Sequence, residues 1–71
     1  MKYRVYYMSA GNSGVTTAEV MYGILHMIVN GKQVQAPMMA PDTEEGVKRT
    51  LLHYGDQIFD EPWGIIYVLR A

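Results

Sequence analysis

Residues 16–31 read TTAEVMYGILHMIVNG, the longest apolar stretch of the chain, and its conformation decides the architecture of everything else. Two readings compete. Asn30-Gly31 between apolar runs has the signature of a two-residue hairpin turn, because both residues tolerate positive φ. The same pair suits a helix C-terminus with Gly31 in the left-handed conformation. Periodicity arbitrates. One strand would hold its polar residues on one parity, yet Thr16, His26 and Asn30 are even while Thr17, Glu19 and Gly23 are odd. At about 100° per residue, Thr16, Glu19, Gly23, His26 and Asn30 fall within an arc of roughly 80°. Thr16-x-x-Glu19 also has the spacing of a capping box. The pattern therefore predicts a helix over 16–31. Gly23 and the β-branched Ile28-Val29 count against it, Gly by about 1 kcal/mol relative to Ala. Paired strands over the same residues are the alternative.

Working outward, residues 2–8, KYRVYYM, alternate: Tyr3, Val5 and Tyr7 on one face, Lys2, Arg4, Tyr6 and Met8 on the other. That is a half-buried strand. Residues 9–15, SAGNSGV, form a glycine-rich loop before the expected helix. A strand, a glycine-rich loop and a helix N-terminus can hold phosphate on free N–H groups, which makes Gly11, Gly14 and Thr16 weak candidates. The P-loop lysine is missing, and turn chemistry accounts for the glycines equally well. Residues 32–40, KQVQAPMMA, read as a second strand. Pro37 cannot donate to a ladder, so this strand belongs at an edge.

Pro41-Asp42-Thr43-Glu44-Glu45 is a helix start, with Asp42 as the expected cap and acidic residues at the positive end of the dipole. The helix should run to about Tyr54 and stop at Gly55. Val47, Leu51 and Tyr54 form its core stripe, and Leu52 interrupts the solvated face. A polar connection, residues 56–62, carries Ile58 and Phe59, side chains expected to anchor on the core. Residues 63–70, WGIIYVLR, are apolar at nearly every position. A strand without alternation is expected to be covered on both faces and central in its sheet.

The expected fold is α+β: a small two-layer β-α-β-α-β sandwich, with two helices on one face of a three-stranded sheet. The alternative is a three-stranded meander, one helix and a fourth strand. A chain of 71 residues is one domain, residues 1–71. Such a chain buries only about 60% of its unfolded surface and gains from association. It has no cysteine, so disulfides and thiolate metal sites are excluded. A hydrophobic content of 49% supplies a packed core. A net charge of −1 gives no long-range attraction to nucleic acid or anionic membranes. Neither a signal peptide nor an apolar run approaching the ~20 residues of a membrane span is seen, so a cytoplasmic protein is expected.

No catalytic pattern stands out. His26 and His53 lack an HxxxH or HxxE spacing, Asp56, Asp60 and Glu61 lack the regular spacing of a calcium loop, and Ser9 and Ser13 have no elbow context. No metal, cofactor or enzymatic activity is expected. With both helices on one side, the other sheet face would lie open, rich in Tyr, Met and Arg, the residue types of protein interfaces. Arg4, Tyr6, Tyr7, Leu52 and Arg70 are the candidate partner-binding residues. The reading is a non-enzymatic protein–protein interaction module, in the style of small accessory or inhibitor proteins of phages and mobile elements that occlude a site on a larger machine. A homodimer is expected on the same grounds. A nucleic-acid-binding module on that face and a phosphate binder at the glycine-rich loop are the competing readings.

Overall fold

The computed structural model of the chain describes residues 1–9, 12–59 and 63–70. Six elements follow in order: β1 (Lys2–Ser9), β2 (Asn12–Met21), β3 (Ile24–Val29), β4 (Lys32–Pro37), α1 (Glu44–Phe59) and β5 (Trp63–Arg70). All strand pairs are antiparallel, in the spatial order β4-β3-β2-β1-β5. The class is α+β, with one helix packed on a curled five-stranded sheet. The expected sandwich of three strands and two helices is not what forms. The alternative order of meander, helix and final strand is closer, but the meander has four strands rather than three.

The correction lies in residues 16–31, which are two strands and their turns. Tyr22 and Gly23 have φ of 54° and 76°, and Asn30 and Gly31 have φ of 52° and 78°. Both pairs are two-residue turns with positive φ at both central positions, the geometry whose twist matches that of the flanking strands. Asn-Gly announces such a turn; Tyr-Gly does not. The first turn also explains the misleading parity. Pairing Met21 with Ile24 inverts the inward set, so even residues Ala18 and Val20 are buried in β2 and odd residues Leu25, Met27 and Val29 in β3. Polar residues of mixed parity then imitate a helical stripe.

Alternation in β1 is as expected: Tyr3 and Val5 are buried and Tyr7 packs against the core. β4 lies at an edge, as Pro37 requires. β5 lies at the opposite edge, not in the centre. Its register against β1 shifts between Tyr6 and Tyr7, which pair with Tyr67 and Ile65 respectively. The extra residue inverts parity within β5. Val68 therefore shares the helix-covered face with Trp63, and a run with no alternation needs no second cover.

The helix begins one residue later than expected. Thr43 is the cap: its Oγ1 accepts the Gly46 N–H at 3.1 Å, and its carbonyl accepts the Val47 N–H at 2.9 Å. A Cβ at Gly46 would collide with the Pro41 carbonyl, so the tight entry requires glycine. The helix then runs through Gly55 to Phe59, because Gly55 is a packing position rather than a stop. The indole of Trp63 fills the space a Cβ would take there. Trp63 stacks on Phe59 at 4.6 Å between ring centroids, and Phe59 meets Tyr7 at 4.7 Å. This aromatic clamp fastens the C-terminal half of α1 to β1 and β5. Ile58 and Phe59 reach the core as expected, but from the helix. Further back, the buried Thr50 hydroxyl donates to the Gly46 carbonyl at 2.8 Å and accepts the Met39 N–H at 2.9 Å. That bond fixes the approach to the helix, leaving no buried side-chain polar atom unpartnered among the described residues.

Three stability outcomes follow. Tyr22 is 98% exposed and left-handed, a conformation costing a non-glycine residue about 1–2 kcal/mol. Tyr22→Asn should raise the unfolding free energy by about 1 kcal/mol in urea denaturation; no change would mean that this turn is not of the described type. Gly55→Ala gains helix propensity of about 1 kcal/mol but forces Trp63 from its seat, and overpacking of about 1–3 kcal/mol should win. The exposed Leu52→Ala should stay within about 0.5 kcal/mol of the parent in the same assay.

Candidate functional site

One helix covers one face, and among the described residues no further element covers the opposite face of the sheet. Its composition follows from the registers. β1 places Lys2, Arg4, Tyr6 and Met8 there, opposite Glu19, Thr17, Val15 and Ser13 of β2. β5 adds Leu69 beside Arg4, Tyr67 beside Tyr6 and Gly64 beside Met8. β3 contributes His26, beside Glu19 and Gln35, while Gln33 and Gln35 complete β4. The face is thus graded. One end carries a polar row, Lys2, Glu19, His26 and Gln35, across four strands. The other end carries a denser apolar and aromatic patch.

The patch centres on Tyr6 and Tyr67, stacked at 4.3 Å with an interplanar angle of 22°. Cross-strand aromatic pairs of this kind contribute about 0.5–1.5 kcal/mol beyond their area. Around the pair, Val15 is 56% and Met8 54% exposed, and Leu69 is exposed as well. Arg4 lies between Leu69 and Thr17. Beside it, an open depression of about 240 Å³ is lined by residues including Lys2, Thr17, Glu19, His26 and Ile28. On the helical side a second cleft of about 280 Å³ runs between Val34–Pro37 of β4 and Tyr54, Gln57 and Ile58 of α1.

Of the five candidate partner-binding residues, the fold brings only Arg4 and Tyr6 together. Tyr7 points the other way, over Gly14 and onto Phe59. Leu52 is exposed on the outer surface of α1. Arg70 pairs with Tyr3 and so belongs to the helix-covered side, where its Nη2 lies 3.7 Å from the Met1 sulfur. Sequence reasoning placed Met8 on this face but did not single out Val15, Tyr67 or Leu69. Val15 falls in the glycine-rich segment that the sequence reads as a loop. Tyr67 and Leu69 lie in a run without alternation, which does not say which side chains turn from the core. No signal short of the bulge itself would have settled that.

The phosphate reading loses its basis, because no helix follows the loop. Gly14 sits in β2 beneath the Tyr7 ring, where a Cβ would strike the phenol. Thr16 spends its hydroxyl on the Ile28 carbonyl at 2.6 Å. Gly11 lies outside the described residues, as do Asp60 and Glu61. His26 and His53 lie in different layers, β3 and α1. Among the described residues, no three His, Cys, Asp or Glu side chains come together as a metal site. No helix among them is long and apolar enough to cross a membrane.

Tyr67 of this pair carries an electrostatic signature. Although Tyr67 stays 43% exposed, desolvation by its neighbours raises its phenol above the ordinary 10.0; the charge and hydrogen bond of Tyr6 push the same way, while Arg4 draws it back. A raised folded-state pKa means that the folded chain favours the neutral phenol. That contribution is full below pH 10.0 and is lost as pH rises through the folded value. Ultraviolet difference titration of the parent against Tyr67→Phe should show this tyrosine ionising later than a free phenol, and Tyr6→Ala should bring it earlier. An ordinary midpoint for Tyr67 in the parent would mean that its neighbours do not perturb the phenol.

Comparison of the chain with protein-family models, with curated proteins and with solved structures finds no match.

Proposed function

We propose that this protein is a non-enzymatic interaction module that binds another protein through the bare face of its sheet. The observation that carries the reading is the patch of Tyr6 and Tyr67, ringed by Met8, Val15 and Leu69 with Arg4 alongside. Tyrosine and arginine dominate the residues that carry binding energy at interfaces. Contiguous apolar surface of this kind marks a contact site. The polar row at the other end suits the rim of such an interface. A face of this sort works by covering a site on a larger partner. That is how a cytoplasmic accessory or inhibitor protein of a phage or mobile element would act.

The competing reading stacks a single-stranded nucleic acid on the same tyrosines. Two features weigh against it. Tyr6 and Tyr67 turn their facing sides to one another, and the chain's net charge of −1 offers no general attraction to phosphate.

Affinity capture from the native host, with the parent and Arg4→Glu/Tyr6→Ala side by side, tests the reading. The partner retained by the parent should bind the double variant at least about 2 kcal/mol more weakly, roughly thirtyfold. Equal retention by both would refute the face as the binding surface. Low-salt binding of single-stranded oligonucleotides that collapses as salt rises would replace the protein partner with a nucleic acid.

A further inference from the structure

The two edges of the sheet are built differently. β4 is short and carries the usual protections: Lys32 at its start, glutamines at 33 and 35, and Pro37 at its end. β2 outruns β3 before Ala18, and there Ser13 is exposed, Gly14 weakens the strand and the Thr16 side chain ties to Ile28. β5 has none of these devices. WGIIYVLR contains no proline, lysine or acidic residue, has a single charge at Arg70, and pairs with β1 on one side only. α1 packs on the face of β5 through Val68 and Trp63, and among the described residues no strand pairs with its outer edge. An unguarded run of strong strand formers along a free edge is a template for another strand.

We propose that the free edge of β5 pairs with β5 of a second copy of this chain. The pairing is antiparallel about a two-fold axis perpendicular to the sheet, joining two five-stranded sheets into one. The occupant is argued from self-complementarity. Directly opposed residues in a continuous sheet must share a face. Trp63 and Arg70 lie on the helix-covered side, through their pairing with Ser9 and Tyr3; Gly64 and Leu69 lie on the bare side, through Met8 and Arg4. Because the bulge inverts parity between the two halves, antiparallel self-pairing matches faces when Trp63 meets Arg70 of the other copy and Gly64 meets Leu69. That register aligns the full strand, with the axis between residues 66 and 67. It opposes no like charges, and it sets each Arg70 guanidinium across from an indole, a favourable contact. Both helices fall on one side and both bare faces on the other, so the two Tyr6–Tyr67 stacks lie side by side. A chain of 71 residues also gains the support that small cores lack.

Sedimentation equilibrium, together with hydrogen exchange at several concentrations, tests this pairing independently of any foreign partner. The parent should sediment at twice its 8.1 kDa mass. Its β5 amides should become more protected as concentration rises. Tyr67→Lys places two ammonium groups beside the axis and should raise the dissociation constant roughly tenfold or more. Val15→Lys adds the same charge on the bare face, beyond Tyr6 from the free edge of β5, and should leave the dimer intact. A monomer at every soluble concentration would overturn the proposal. So would a dimer that Val15→Lys dissociates, or one whose β5 exchange ignores concentration. Should Tyr67→Lys not fold, the exchange of the unmodified chain decides.

Discussion

Two pairs of residues with positive φ, Tyr22-Gly23 and Asn30-Gly31, hold this fold in register. A two-residue turn leaves no slack, so each strand's pairing with the next is set to the residue. Register in turn sets which side chains face inward, and a slip by one position would exchange core and solvent along the whole strand. Ala18, Val20, Leu25, Met27 and Val29 reach one common side only because the first turn inverts parity, and Ala36 joins them because the second inverts it again. The core under α1 is a consequence of those two turns.

The helix imposes the second constraint. A helix of sixteen residues is about 24 Å long, and five strands span about 19 Å, so one helix covers one face and no more. It is seated by shape rather than by charge. Gly55 yields its side-chain space to Trp63, Gly14 yields to Tyr7, and Phe59 joins the two aromatic rings. The candidate site arises on the other side of the same sheet. Tyr3, Val5 and Tyr7 hold the helix while Arg4 and Tyr6, between them in sequence, face away from it. Binding surface and core are thus interleaved along one strand.

The open face was legible in part. Strict alternation over residues 2–8 separates the two faces of β1, and no tertiary knowledge was needed to place Arg4 and Tyr6 together. Leu52 stands out only as a break in the solvated face of its helix, and Arg70 only as the end of one of two possible faces of the last strand; neither pattern says which layer a residue joins. Tyr67 and Leu69 were ambiguous because β5 contains a bulge, and a bulge is a property of pairing with β1.

By itself the sequence determined what depends on near neighbours. The half-buried strand at residues 2–8, the edge character of the strand ending at Pro37, the acidic first turn of the helix near residue 44 and the final strand at residues 63–70 all follow from local pattern and backbone chemistry. Tertiary structure decided whatever depends on parity being inverted or on a distant side chain filling a space. Residues 16–31 became two strands because a left-handed Tyr22, poorly suited to its turn, is held there by the pairing of β2 with β3. Gly55 stayed inside the helix because Trp63 packs on it. β5 went to the edge because a register shift lets one face of an unbroken apolar run turn to the core. Local periodicity carries no record of a shift by one residue, and that shift decides which face of the strand is buried.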